Sequence, residues 1–374
     1  MQQEPEFQEE DWPEDEEDTG RSFLYKELVL SGLYSPKGNR GFPLDDGDSD
    51  HFEISPRPPG NYFGLEFVKT FTEFSPINRD FMPDWLPITG LNLHPRLVFD
   101  GLEENDGFEK IKFAPQDFWV RFNPGGADRW ALRLGQFVIP YGVTPTLAPR
   151  QRFILPIEAA DLGLKWDWGV GLKGPVGEYD WEVAATLGSG EGIHSPRWGD
   201  DDRERWLVTG RIGTPNYWDF QYGLSFLYGD LPVIRGPKAV SKVSLSRWRL
   251  GLDTFYRYDT WLVFGGQVTF GQDGHAGDER FIRLTGGEPA DVLAYRLWLD
   301  WVVPSHPDLK LSAQYESVIR DLSTSHSDDS ALILEASYSL TTSLTVSLDV
   351  RFDLNRAMGG ENHALFLTFV YYGL

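Results

Sequence analysis

From about residue 20 to the C-terminus the chain falls into segments of roughly ten residues in which apolar and polar positions alternate with a period of two. Near the C-terminus, Leu344, Val346, Leu348, Val350, Phe352 and Leu354 form one set, and Thr345, Ser347, Asp349, Arg351, Asp353 and Asn355 the other. In a β-strand the two sets point to opposite faces. The preceding segment sets Leu332, Leu334, Ala336, Tyr338 and Leu340 against Ile333, Glu335, Ser337 and Ser339. The one before it sets Leu309, Leu311, Ala313 and Tyr315 against Lys310, Ser312, Gln314 and Glu316.

Sixteen strands are predicted: these three, a last one at 363–373, and others near 22–35, 61–72, 94–100, 116–123, 129–137, 162–173, 178–188, 205–213, 217–229, 243–258, 260–271 and 291–303. Pro83, Pro87 and Pro95 weaken the pattern in the first part, because proline has no N–H for a ladder. Short links at 123–128, 174–177, 214–216, 259, 304–307 and 341–343 alternate with long ones at 138–161, 189–204, 230–242, 272–290, 320–330 and 355–362. A soluble β-sandwich gives no reason for that alternation. A transmembrane antiparallel β-barrel does, with short turns on the periplasmic side and long loops outside. The fold class expected is therefore all-β: an outer-membrane barrel of about sixteen strands. Trp166, Trp168, Tyr222, Tyr228, Tyr256, Tyr258, Trp261, Trp301 and Tyr372 lie near strand ends on the apolar face, where aromatic girdles meet the two water-lipid interfaces.

Composition agrees with this pattern. No run of about 18 apolar residues exists to form a transmembrane helix, and a barrel needs none. Cysteine is absent, which removes disulfides, thiolate metal sites and covalent haem attachment. Of the net charge of −23, ten acids and no base fall within residues 1–20. That segment is expected to be a solvated, disordered periplasmic tail, with the barrel occupying 21–374. Met1-Gln2-Gln3-Glu4-Pro5 has neither a basic nor an apolar leader region, so a mature sequence is expected. Nucleic acid is not an expected partner for so acidic a chain.

The segment Arg133-Leu134-Gly135-Gln136-Phe137-Val138-Ile139-Pro140-Tyr141-Gly142 resembles the RxGQFxxP[FY]G segment of a porin family that includes the phosphate-selective porins O and P. Gln151-Arg152-Phe153, Asp161-Leu162-Gly163, the run Gly169, Gly171, Gly174, and Leu187-Gly188-Ser189-Gly190 are similar to the stretch C-terminal to that segment in the family. The terminal strand at 364–374 resembles the one recognised by the outer-membrane assembly machinery, except that Leu374 stands where an aromatic residue is usual. The resemblance implies a bacterial outer-membrane location, contact with lipid and lipopolysaccharide, and a homotrimer. It also implies that the connection between strands five and six, residues 138–161, folds into the lumen and narrows it. Tyr141, Arg150, Arg152, Glu158 and Asp161 are then the constriction residues. Two arginines face two acids there, so phosphate selectivity is not carried over.

With the polar face inward, the pore wall is expected to carry Arg121, Arg133, Lys165, Arg211, Arg247, Arg249, Arg257, Arg296, Lys310 and Arg351. Asp167, Glu182, Asp253, Asp300, Glu316, Glu335, Asp349 and Asp353 share that face. Ten bases nearly balance eight acids, so the net charge resides in the tail and loops, and neighbouring opposite charges are positioned to pair. Acidic loop runs such as Asp200-Asp201-Asp202 lack the ligand spacing of a calcium loop. The histidines form no triad spacing, and no HExxH or Walker motif occurs, so neither catalysis nor a cofactor or metal is expected. The function read from the sequence is passive diffusion of small hydrophilic solutes or ions. The alternative is a sheath barrel housing a periplasmic or multihaem cytochrome partner.

Overall fold

A computed structural model of the protein describes residues 21–34, 62–72, 75–83, 85–99, 111–113, 117–124, 129–142, 166–188, 206–235, 239–274, 289–319, 322, 328–355 and 363–373. The expected tail at 1–20 lies outside the described residues. In chain order the elements are β1 (Ser22–Tyr34), β2 (Tyr62–Thr70), the helix α1 (Pro76–Phe81), β3 (Ile88–Leu93), β4 (Arg96–Phe99), β5 (Ile111–Phe113) and β6 (Phe118–Phe122). Next come β7 (Ala131–Val138), β8 (Trp166–Val176), β9 (Tyr179–Thr186), β10 (Trp206–Gly213), β11 (Phe220–Arg235) and β12 (Ala239–Tyr258). The chain ends with β13 (Leu262–Asp273), β14 (Ala290–Val302), β15 (Leu309–Ile319), β16 (Asp328–Ser339), β17 (Leu344–Asn355) and β18 (Ala364–Gly373).

Every pairing is antiparallel, and β1 pairs with both β2 and β18, so the sheet closes on itself. β3 and β4 are two pieces of one stave, as are β5 and β6, which makes sixteen staves from eighteen strands. Closure leaves no edge to expose unpaired backbone to hydrocarbon. The third stave, expected at 94–100, begins earlier, at Ile88, and breaks at His94-Pro95. Proline cannot donate there; instead the Pro95 carbonyl accepts from Leu65 N at 3.1 Å and His94 N donates to the Asp117 carbonyl at 2.6 Å. The link expected at 230–242 shrinks to 236–238, because β11 and β12 continue into a hairpin of 16- and 20-residue strands. At about 3.3 Å per residue, such strands are far longer than a bilayer crossing requires.

The barrel is polar inside and apolar outside. Leu297 is 59% exposed, while its neighbour Arg296 is 1% exposed. Leu224, Leu250, Leu252 and Leu354 are likewise exposed, while Arg249, Glu316, Asp349 and Asp353 are buried. A soluble protein would reverse this, since charged groups are almost never fully buried unless paired. Two girdle expectations are corrected, the first being Trp166, which is buried and not exposed at an interface. Tyr372 turns inward and donates to Glu66, and Tyr371 takes the outward position, because Phe366, Thr368, Val370 and Tyr372 form the buried row of β18.

Candidate functional site

The barrel interior holds a dense set of charges, most of them compensated within the wall. On the β1–β4 side, the Glu27 carboxylate accepts from Tyr62 Oη at 2.8 Å and Arg96 Nη2 at 2.8 Å, and lies 2.9 Å from His94 Nε2. The Arg96 guanidinium stacks on the Tyr62 ring at 4.1 Å. Alongside, Glu66 accepts from Asn92 Nδ2 and, across the closing seam, from Tyr372 Oη, each at 3.1 Å. Glu27, Glu66, His94 and Arg96 are absent from the wall expected from the sequence. The alternate row Asn92, His94, Arg96 carries the signal, but the proline-broken pattern places the stave too late.

A recurring arrangement sets an arginine on one strand, a glycine on the next and a carboxylate on the strand beyond. Arg211 reaches over Gly223 to make two hydrogen bonds to Asp253, at 2.7 and 3.1 Å. A Cβ on Gly223 would stand 2.5 Å from the Arg211 Nη2. Arg96 reaches Glu27 over Gly64, and Arg133 reaches Glu182 over the strand that carries Gly171. Bidentate guanidinium–carboxylate pairing explains why the interior uses arginine more than lysine.

On the opposite wall, Asp273 accepts from both Arg247 (2.8 Å) and Arg249 (2.5 Å). Asp273 escapes the sequence reading because the alternation there ends the strand two residues early. Arg351 donates to Glu316 and Asp353 at 2.8 Å each, Lys310 Nζ lies 3.1 Å from Glu335, and Ser347 donates to Asp349 at 2.8 Å. Asp167 serves the backbone, accepting from Gly188 N and Trp168 N. Arg257 packs over Phe255 and Arg296 over Trp298. Asp300 stands directly opposite Ser312 on the next strand.

Arg121 stands apart. It is directly opposite Arg133 in the β6–β7 ladder, with hydrogen bonds to Thr89, and Lys173 lies one strand further on. Like charges paired across strands destabilise a sheet. These three remain partly accessible, as do Arg211, Arg257 and Lys310, whereas the accessible acids among the described inward positions are Asp117, Asp180, Glu182 and Asp300.

Of the constriction candidates, only Tyr141 falls within the described residues; Arg150, Arg152, Glu158 and Asp161, together with the wall candidate Lys165, lie outside them. Tyr141 is fully buried and donates from its hydroxyl to Thr269 Oγ1 on β13, 3.2 Å away. Gly142 N donates to Ser225 Oγ on β11 at 2.9 Å. Leaving β7, the chain therefore crosses to strands four and six staves further around the ring. Gly142 has φ +66°, and a Cβ there would overlap the Gln267 amide. Ile139 and Tyr141 join Leu207, Leu227, Val292, Ala294, Val318 and Ala331 in one buried apolar cluster on the inner wall.

No protein-family model and no curated protein matches the sequence. In folded structure the chain is similar to a loop-deletion mutant of OmpT, an outer membrane protein of Vibrio cholerae, at 11% identity and TM-score 0.60, covering 95% of this chain and 100% of that one. It is similar to an anion-selective porin from Comamonas acidovorans at 10% identity and TM-score 0.60, covering 95% and 100%. The outer membrane channel DcaP of Acinetobacter baumannii is similar at 11% identity and TM-score 0.58, covering 96% and 99%. At these identities the likeness is one of fold: the sixteen-stave barrel of outer-membrane porins.

Proposed function

We propose that this chain is a porin of the bacterial outer membrane, passing small hydrophilic solutes and ions by diffusion through its polar interior. The observation that carries the reading is the inverted barrel, with leucines exposed outside and paired arginines and carboxylates buried inside. The anchoring of Tyr141 and Gly142 on β13 and β11 supports a connection at 138–161 that runs through the lumen and narrows it. Arg150, Arg152, Glu158 and Asp161 then face the solute path. Six partly accessible bases against four acids favour anions over cations of similar size.

Burial of Arg249, Arg296, Glu316 and Asp349 within their own chain argues against a lumen wide enough to sheath a folded cytochrome. The barrel assembles as a homotrimer among lipid and lipopolysaccharide, and residues 1–20 form a periplasmic tail. Swelling of proteoliposomes in small sugars and organic anions tests the reading. Uptake that falls as solute size rises supports it, and vesicles as tight as protein-free ones refute it.

A further inference from the structure

The connection between β2 and β3, residues 71–87, sits at the barrel end where other connections are as short as 177–178 or 259–261, yet it contains a helix. Asn78 fastens α1 to the rim: its Nδ2 donates to the Thr72 and Ile88 carbonyls at 2.7 and 2.8 Å, and its Oδ1 accepts from Ile88 N at 2.8 Å. Ser75 Oγ adds a bond to the Thr72 carbonyl at 2.9 Å. The segment is thus held in place, but its large apolar side chains project away from the protein. Phe81 is 81% exposed and Trp85 67%, and Ile77 lies one helical turn before Phe81. A rigid, uncovered apolar protrusion marks a contact surface.

We propose that α1 and Trp85 lie in the periplasmic leaflet of the bilayer as an interfacial anchor, a proposal that rests on the membrane placement argued above. Two features select lipid over a protein partner. The outward row of β2, with Phe63 and Leu65 exposed, continues toward this segment, and Lys69 ends it with its ammonium over the Phe71 ring at 5.6 Å, apolar stem against lipid and charge toward water. Exposed aromatics also line the same barrel end well around the ring from α1: Tyr217, Phe220 and Tyr258. A lipid surface meets all of them at once, whereas a protein docked on α1 meets one side. The Arg79–Asp80 ion pair, 3.0 Å across and half-exposed, supplies the polar side of the helix.

Because the chain contains no cysteine, single spin labels can be placed cleanly. Phe81→Cys, Trp85→Cys and, as a reference in the mid-barrel apolar belt, Leu250→Cys are labelled and reconstituted in phospholipid vesicles. Their collision rates with oxygen and with a water-soluble nickel chelate are then compared. Lipid contact predicts oxygen-rich, nickel-poor environments at 81 and 85, approaching that at 250. Nickel access at 81 and 85 equal to that of a free label overturns the anchor while 250 still reports lipid. Nickel access at 250 as well defeats the membrane placement itself. Spin–spin broadening between copies at 81 also overturns the anchor, assigning the surface to a second copy of this chain.

Discussion

Glu27 and His94, 67 positions apart in sequence, meet at 2.9 Å inside the barrel wall, both almost fully buried. The contact ties the first strand to the third stave, and the Tyr372–Glu66 bond ties the last strand to the second. The Tyr372–Glu66 bond crosses the seam where the ring closes, and the Glu27–His94 contact fastens the first strand to the staves beyond it.

Glu27→Ala leaves Arg96 buried beside Tyr62 without its carboxylate. Removing one partner of a buried pair costs about 3–5 kcal/mol. The variant is expected to unfold at lower denaturant concentration, read by the migration of unheated barrel on gels. Glu27→Gln, which still accepts from Tyr62, should lose less.

Gly223→Ala places a methyl group where the Arg211 guanidinium lies. Arg211 must then swing off Asp253, a buried acceptor, and an unsatisfied buried group costs about 1–3 kcal/mol or more when charged. Denaturant titration should show this loss. In the Asp253→Asn background the same substitution should cost less, because the two changes break one interaction.

Gly142→Ala combines a left-handed backbone position, costing about 1–2 kcal/mol for an L-residue, with an overlap against Gln267. The Tyr141–Thr269 and Gly142–Ser225 contacts should loosen. Single-channel records are expected to show larger open-channel noise than the parent.

Arg121→Gln with Lys173→Gln reduces the accessible wall to four bases against four acids. The reversal potential in a salt gradient should move toward zero from the anion-selective side, and an unchanged value would remove these residues from the solute path.

The barrel was legible in the sequence because each strand repeats a two-residue period, as the row Ser347, Asp349, Arg351, Asp353 shows by being buried throughout. Where that period is interrupted, legibility fails. Pro87 and Pro95 leave the third stave placed at 94–100, without its first half at Ile88–Leu93, so the inward row Asn92, His94 and Arg96 and the cluster around Glu27 and Glu66 are not read. Which charges pair was not legible, since Arg211 finds Asp253 two strands away over a glycine, a relation set by register rather than local order. The inward turn of Tyr372 was missed because adjacent tyrosines at 371 and 372 give no alternation to read.

Recording across planar lipid bilayers tests the central claim most directly. Purified folded barrel added to one side should insert and give discrete, long-lived ohmic conductance steps with a reversal potential on the anion side. Bilayers that stay silent, despite protein demonstrably inserted and resistant to added protease, would contradict a solvent-filled path through this interior.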